Sequence, residues 1–192
     1  MRKNSSFLKS TASEEQFFFP AHSSDSYGNI KAFRNVGEAI NDLMDKGEEF
    51  PNHIALNHSD VVVRRYQLIP EGGKLPTPED RPEDIRRKNF GNTYTRLHRQ
   101  EVSSTIVPGN NALPVHPVLN RSLTPREGAR IQTFPDDFEF VGPIINQCLQ
   151  VGNAFPCIVA QTFGERLRTV VNKEWSSDSA THLAKKSMLE EE

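Results

Sequence analysis

The segment Arg121-Ser122-Leu123-Thr124-Pro125-Arg126-Glu127-Gly128-Ala129-Arg130-Ile131-Gln132-Thr133-Phe134-Pro135-Asp136 contains both a helix start and a helix stop. Thr124 is placed to cap a helix, Pro125 takes the first helical position, where its missing N–H is no loss, and Glu127 completes a capping box. The helix is predicted to end near Phe134-Pro135, because the residue before a proline is pushed away from helical angles. Arg126 and Arg130 lie four apart and share a face. Such a pair can hold phosphates, or it can pair with Glu127 and Asp136 to pin the helix in place; the structural role is preferred.

Upstream, a helix is predicted from Asn35 to Met44. Asn35 and Glu38 form another capping box, Val36, Ala39, Ile40, Leu43 and Met44 recur at helical spacing, and Gly47 is placed to end the helix in a left-handed conformation. A short helix is predicted from Ser59 to about Leu68, stopped by Pro70 and Gly72-Gly73. Residues 70–92 form an irregular excursion rich in Pro, Gly and Asn, of a length that marks functional or disordered loops. The stretch 64–100 has a modest excess of Lys and Arg. Thr105-Ile106-Val107 is β-prone and stops at the turn Pro108-Gly109-Asn110-Asn111. Downstream, a last helix is predicted from Pro156 to about Val171, with Val159, Phe163, Leu167 and Val170 on one face. Residues 1–16 and 172–192 are polar, with little to bury, whereas Phe17-Phe18-Phe19-Pro20 is an apolar cluster that needs a surface.

These elements belong to a chain of 192 residues with 35% hydrophobic residues and a mean hydropathy of −0.59, so one modest core and extensive loops are expected. A net charge of −2 counts against a DNA partner unless positive charge is local or a second chain supplies it. Cys148 and Cys157 cannot build a disulfide framework and suit a reducing compartment. Lys9, Glu14 and Glu15 break up the amino terminus before any signal-peptide core can form, and no stretch approaches the ~20 apolar residues of a membrane span. A cytoplasmic protein with no membrane association is expected.

Several residues invite a chemical reading. Cys157 sits at the start of an amphipathic helix, where the dipole favours a nucleophile, but no histidine or carboxylate lies close in sequence to assist one, so a packing role is favoured. His53 and His58 are poorly spaced for chelation, and no metal site is expected. Asp136-Asp137 is better explained as a turn after Pro135. Gly152-Asn153-Ala154 precedes a helix, where a glycine admits close approach of a ligand, although by itself it is only a helix-entry turn. Arg96, Arg99 and Thr105 flank an expected strand and loop, a geometry that suits phosphate and groove contacts as well as an ordinary surface.

Three segments, in this order, resemble bacterial DNA cytosine-5 methyltransferases. Residues Arg121 to Asp136 are similar to the ninth motif of that family, and Gln150-Val151-Gly152-Asn153-Ala154-Phe155-Pro156 to its tenth. Tyr94-Thr95-Arg96-Leu97 and Ser103-Ser104-Thr105-Ile106 resemble the end of its target-recognition region. Phe18-Phe19-Pro20-Ala21-His22 and the helix from Val36 to Leu43 match the stretch just after the eighth motif in many members. The family's Pro-Cys-Gln nucleophile, its Glu-Asn-Val segment and its Phe-x-Gly-x-Gly cofactor loop do not occur in this chain. Pro156-Cys157 is succeeded by Ile158 and falls where family members usually have Pro-Pro, so it is a decoy.

The resemblance implies an α+β fold: a target-recognition domain plus a carboxyl-terminal helix that returns to a Rossmann-like, S-adenosylmethionine-dependent methyltransferase domain carried elsewhere. Residues 17–73 would be a linker and helical segment, 74–120 the recognition region, and 121–171 the part that packs on the catalytic domain. No catalytic residue is expected here. Asn153 and Ala154 would line the S-adenosylmethionine pocket, and Arg96, Arg99, Ser104 and Thr105 would contact double-stranded DNA, with Arg96 or Arg99 reading a guanine edge. The chain opens with its own Met1 just after the eighth motif, which suggests the small subunit of a split enzyme, completed by a large methyltransferase subunit carrying motifs one to eight. A truncated gene product, an inactive remnant and a non-catalytic DNA-binding module are the competing readings.

Overall fold

A computed structural model of the chain describes residues 22–23, 31–86, 94–106 and 113–172. The chain divides into a unit of residues Met1–Arg34 and one of Asn35–Glu192. In the first, β1 (His22–Ser23) and β2 (Lys31–Ala32) form a short parallel ladder, with His22 opposite Lys31 and Ser23 opposite Ala32. The expectations for residues 1–16, for the Phe17–Pro20 cluster, for the Pro108–Asn111 turn and for the chain beyond residue 172 lie outside the described residues.

In the second unit, α1 (Val36–Ile40) starts where its capping box predicts. Asn35 Oδ1 accepts the Glu38 N–H at 2.8 Å, and Glu38 Oε2 accepts the Asn35 N–H at 3.1 Å. From Asn41 to Asp45 the chain tightens into a 3-10 helix. Leu43 is fully buried within it, while Met44 faces solvent instead of extending the apolar stripe. Gly47 does not become left-handed; the turn closes at extended Lys46, whose N–H reaches the Leu43 carbonyl at 3.1 Å.

α2 (Asp60–Gln67) agrees with its predicted span and buries Arg65 and Tyr66. α3 (Pro125–Ile131) has the second capping box: Thr124 Oγ1 accepts the Glu127 N–H at 3.1 Å, and Glu127 Oε2 accepts the Thr124 N–H at 2.8 Å. α4 (Ile144–Asn153) has no counterpart in the sequence prediction, although Ile144, Cys148 and Val151 recur at helical spacing and the last two are buried. A final helix, α5, spans residues 157–172.

α3 packs against both α1 and α4. Between them lies the main core, which includes Ile40, Leu43, Leu123, Ala129, Cys148 and Val151. Each large apolar side chain fully buried there contributes about 1.5–3 kcal/mol relative to exposure. Gly128 permits the approach: a Cβ on it would lie 2.8 Å from Leu113 Cδ1 and 3.0 Å from Val151 Cγ1. A smaller cluster of Tyr66, Ile69 and Val115 packs with the half-buried Val62, Leu75 and Tyr94. The expected strand at residues 105–107 is not formed at 105 and 106. Single backbone bridges hold this region instead, Lys74 to Thr95, Arg96 to Val115 and Val115 to Ser122, so the described part is mainly helical with sparse strand pairing.

The irregular segments around α3 converge on Arg126, which is wholly buried. Its Nε donates to the Pro51 carbonyl at 2.9 Å, Nη1 to that of Pro135 at 3.0 Å, and Nη2 to Phe138 O at 2.7 Å and Asn52 Oδ1 at 3.2 Å. Asn52 is itself left-handed, with φ of 61° in the Phe50–His53 turn, and its Nδ2 donates to Phe140 O at 2.7 Å and Gln147 Oε1 at 2.9 Å. Arg130 points outward and grips Asp136 through two bonds of 2.8 Å and Asp42 through one of 2.6 Å. Both arginines therefore have a structural role, but of the two carboxylates expected to pair with them only Asp136 does so, Glu127 being held by Arg121. Replacing Arg126 with leucine leaves the part-buried Pro51 and Phe138 carbonyls without that donor and Pro135 with only the Phe138 N–H, and should lower the unfolding free energy by about 2–5 kcal/mol, at about 1–3 kcal/mol per orphaned group. Arg130→Leu should cost clearly less, and equal losses in urea denaturation of the two variants would contradict the assignment.

Candidate functional site

Two surfaces carry the residues singled out in the sequence. On the first, the two arginines have opposite environments. Arg96 is 4% exposed, and all five of its N–H donors are occupied inside the protein. Nε donates to Ile69 O at 2.7 Å, Nη1 to His116 O at 2.7 Å and Leu119 O at 2.9 Å, and Nη2 to Tyr66 O at 2.6 Å and Asn120 Oδ1 at 2.9 Å. To reach a base edge it would have to give up five hydrogen bonds. Its place in the fold is that of a staple joining the end of α2 to the 116–120 turn.

Arg99 is exposed, and Glu71 grips it from one side. Glu71 Oε1 accepts the Arg99 Nε–H and backbone N–H, each at 2.9 Å, and Oε2 accepts an Nη2 hydrogen at 3.1 Å. These bonds hold the Glu71 carboxyl at about 2, well below its usual range. The Arg99 carbonyl is fixed too, because it accepts the Gly37 N–H at 2.8 Å from the start of α1. Ser104 and Thr105 stand just before buried Ile106, Thr105 exposed.

A buried polar seam surrounds the start of α3. The carboxylate of Glu127 takes two bonds of 2.7 Å from Arg121. Burial alone would raise the Glu127 carboxyl, but the hydrogen bonds and charge of Arg121 outweigh it and the net direction is down. Nδ1 of buried His116 accepts the Val118 N–H at 3.1 Å and the Leu119 N–H at 2.9 Å. Its Nε2 has no hydrogen-bond partner and lies 3.7 Å from Glu127 Oε1. His53 Nδ1 meets Thr124 Oγ1 at 3.0 Å and His58 Nε2 meets Ser122 Oγ at 2.9 Å, so both histidines stitch residues 53–58 to the start of α3.

The second surface is the corner between α4 and α5. Asn153 is the exposed last residue of α4, and Ala154, half-buried, caps it through an N–H to the Val151 carbonyl at 3.2 Å. Gly152 and Asn153 thus close one helix as well as preceding the next, where the sequence suggested a helix-entry turn alone. α5 leaves Val159, Phe163, Leu167 and Val171 exposed, with Leu167 at 57%. The Phe155 and Phe163 rings meet edge-on at 6.0 Å. Burial pushes the Cys148 thiol up to about 11, so it is protonated at neutral pH. Cys157 is half-buried at the start of α5, its N–H donated to the Gln132 carbonyl at 3.2 Å.

Residues 4–169 match the family model described as C-5 cytosine-specific DNA methylase. The chain belongs to that family. Type II methyltransferase M.NgoFVII of Neisseria gonorrhoeae is 36% identical over 140 residues, covering 71% of this chain and 36% of that protein. M1.HphI of Haemophilus parahaemolyticus is 37% identical over 138 residues, covering 69% of this chain and 36% of its own. This methylase-family chain therefore spans about a third of the length of those relatives. Against M.AquIB of Picosynechococcus the proportion is reversed: 31% identity over 144 residues covers 67% of this chain and 98% of that one. A DNA modification methyltransferase encoded in an E. coli prophage superposes with a TM-score of 0.47 at 29% identity, over 63% of this chain and 29% of that one, which fixes no residue's position. S-adenosylmethionine is the methyl donor of this family. No described helix is long and apolar enough to cross a membrane.

Sequence reasoning missed Glu71, Asn52 and His116 in this methylase chain. The Pro51-Asn52 pair did offer a signal, since a type II turn favours Pro second and needs a third residue, Gly or Asn, that accepts positive φ. His116 yields a direct test. Burial lowers it from about 6.5 in an unfolded chain to about 4 in the fold. The unfolded chain therefore takes up the proton first. The associated stability is complete above about pH 6.5 and disappears as the pH falls toward 4, a difference of roughly 3 kcal/mol. Glu127, lowered in the fold, adds a loss only below the ordinary carboxylate range. The melting temperature should fall along that limb, and His116→Asn, whose Oδ1 can accept the same two amides, should flatten it. Equal slopes in the two proteins would refute the assignment.

Proposed function

We propose that this chain forms the recognition and cofactor-side portion of a DNA cytosine-5 methyltransferase acting on double-stranded DNA, and that a large companion polypeptide carries the attacking cysteine. The observation that carries this reading is α5. Its apolar face, from Val159 through Leu167 to Val171, is open to water beside the Asn153–Ala154 corner. An amphipathic helix with an uncovered apolar face is half of an interface. The near-complete coverage of M.AquIB supports the reading, because a relative of about this extent exists alongside relatives nearly three times as long.

In this proposal Asn153 offers its carboxamide, and Ala154 a half-buried methyl, to one edge of the S-adenosylmethionine pocket. S-adenosylmethionine supplies the methyl group when bound. Neither cysteine of this chain attacks the base: Cys148 is a buried thiol, and Cys157 belongs to the first turn of α5. On the DNA side, Glu71 holds the Nε/Nη2 edge of Arg99, which leaves Nη1 and the outward Nη2 hydrogen as a fork for guanine O6 and N7. The Ser104 and Thr105 hydroxyls contact phosphates, Thr105 next to a cytosine flipped out of the duplex. Arg96 supports this region from inside.

The deciding assay mixes the purified chain with a candidate large subunit and tracks transfer of labelled methyl groups to duplex DNA. The chain alone should transfer none, and the mixture should be active. Activity from the chain alone would defeat the proposal, as would sequence-specific binding by the chain with no gain from any companion, the behaviour of a binding module. In the active mixture Arg99→Ala should relax discrimination at one base pair by about 1–3 kcal/mol. An unchanged methylation pattern would remove Arg99 from base readout.

A further inference from the structure

α5 starts without a cap of its own. Pro156 stands at the N-cap position and has no side-chain oxygen for the first-turn amides, which a helix leaves unsatisfied. A segment 25 residues upstream receives them: the Cys157 N–H donates to Gln132 O at 3.2 Å, and the Ile158 N–H to Thr133 Oγ1 at 3.0 Å. On the other side of the corner, Gln132 Nε2 donates to the Val151 carbonyl at 3.3 Å and the Ala154 carbonyl at 3.4 Å. Two consecutive residues thus grip residues 151–158 at four points.

Thr133 does so from an unfavourable conformation. Its φ is +62°, the left-handed region, where a β-branched residue is strained. The end of α3 requires that angle, because it closes in a Schellman motif: the Phe134 N–H reaches Ala129 O at 2.9 Å and the Thr133 N–H reaches Arg130 O at 3.0 Å. Glycine would close the motif without strain, but it has no hydroxyl to offer Ile158. Threonine at this point makes sense only if the hydroxyl matters more than the strain.

We infer that Thr133, with Gln132, is a positioning residue whose left-handed conformation aims its hydroxyl at the first turn of α5 and so sets the corner that presents Asn153 and Ala154. The link from this corner to S-adenosylmethionine rests on the function proposed above; the clamp itself does not. Amide hydrogen exchange on the full chain tests the clamp with Thr133→Ser, which keeps the hydroxyl, Thr133→Val, which keeps the shape and strain, and Thr133→Gly, which removes both. Exchange at the Ile158 amide should be at least tenfold faster in the Val and Gly variants and like wild type in the Ser variant. The Gly variant should melt at or above the Val variant, because it relieves the strained angle. Unchanged Ile158 exchange in the Val variant, or a Ser variant as fast as Val, would overturn the clamp.

With a companion subunit present, Thr133→Val should raise the KM for S-adenosylmethionine at least threefold with kcat within twofold, and Thr133→Ser should restore it. A wild-type mixture that transfers no methyl defeats the proposed function and leaves the exchange data to decide the clamp. An active wild-type mixture whose Val variant has an unchanged KM overturns the positioning role.

Discussion

One guanidinium inside the protein determines whether its irregular parts have a common centre. Arg126 projects from α3 into a space bounded by the 51–52 turn and the 135–138 segment, and its donors meet carbonyls from each. Taking a cation out of water is expensive, so such a group persists only where its hydrogen bonds are supplied in full geometry. Here three of the four acceptors are backbone oxygens of residues that no strand ladder pairs. The capping box of Thr124 and Glu127 fixes the helix that carries the arginine, so a local sequence motif sets the position of a long-range hub.

Arg96 repeats the device between the end of α2 and the 116–120 turn, and Arg65 and Arg81 repeat it on a smaller scale by donating to the carbonyls of Ile85 and Pro76. The pattern has a compositional origin. Thirteen prolines remove thirteen backbone donors from the chain, and the strand pairing seen among the described residues is sparse. Buried carbonyls still need partners. Arginine, with five donors in a rigid plane, can satisfy several from different segments at once, as a ladder of strands would have done.

This also explains which features were legible in the sequence. Both capping boxes could be read because their partners lie three residues apart, and the apolar stripe of α5 because its period is local. The burial of Arg96 could not, since its acceptors at Tyr66, Ile69 and His116 are 20 to 30 residues away. An arginine in a loop-rich, mildly basic stretch looks the same on paper whether it faces a base or a ring of carbonyls. α4 escapes a sequence reading because Gly152 looks like a break, whereas it sits one residue before the end of that helix. The bracing by Glu71, Gln132 and Thr133 is equally beyond a local reading, because their partners lie 19 to 28 residues away.

The aliphatic and aromatic stripe along α5 also sets the chain's behaviour in solution. Val159, Phe163, Leu167 and Val171 present a ridge that water solvates poorly, and a ridge of that kind on one molecule is complementary to the same ridge on the next. Whenever nothing covers it, solubility is limited by self-association along that helix.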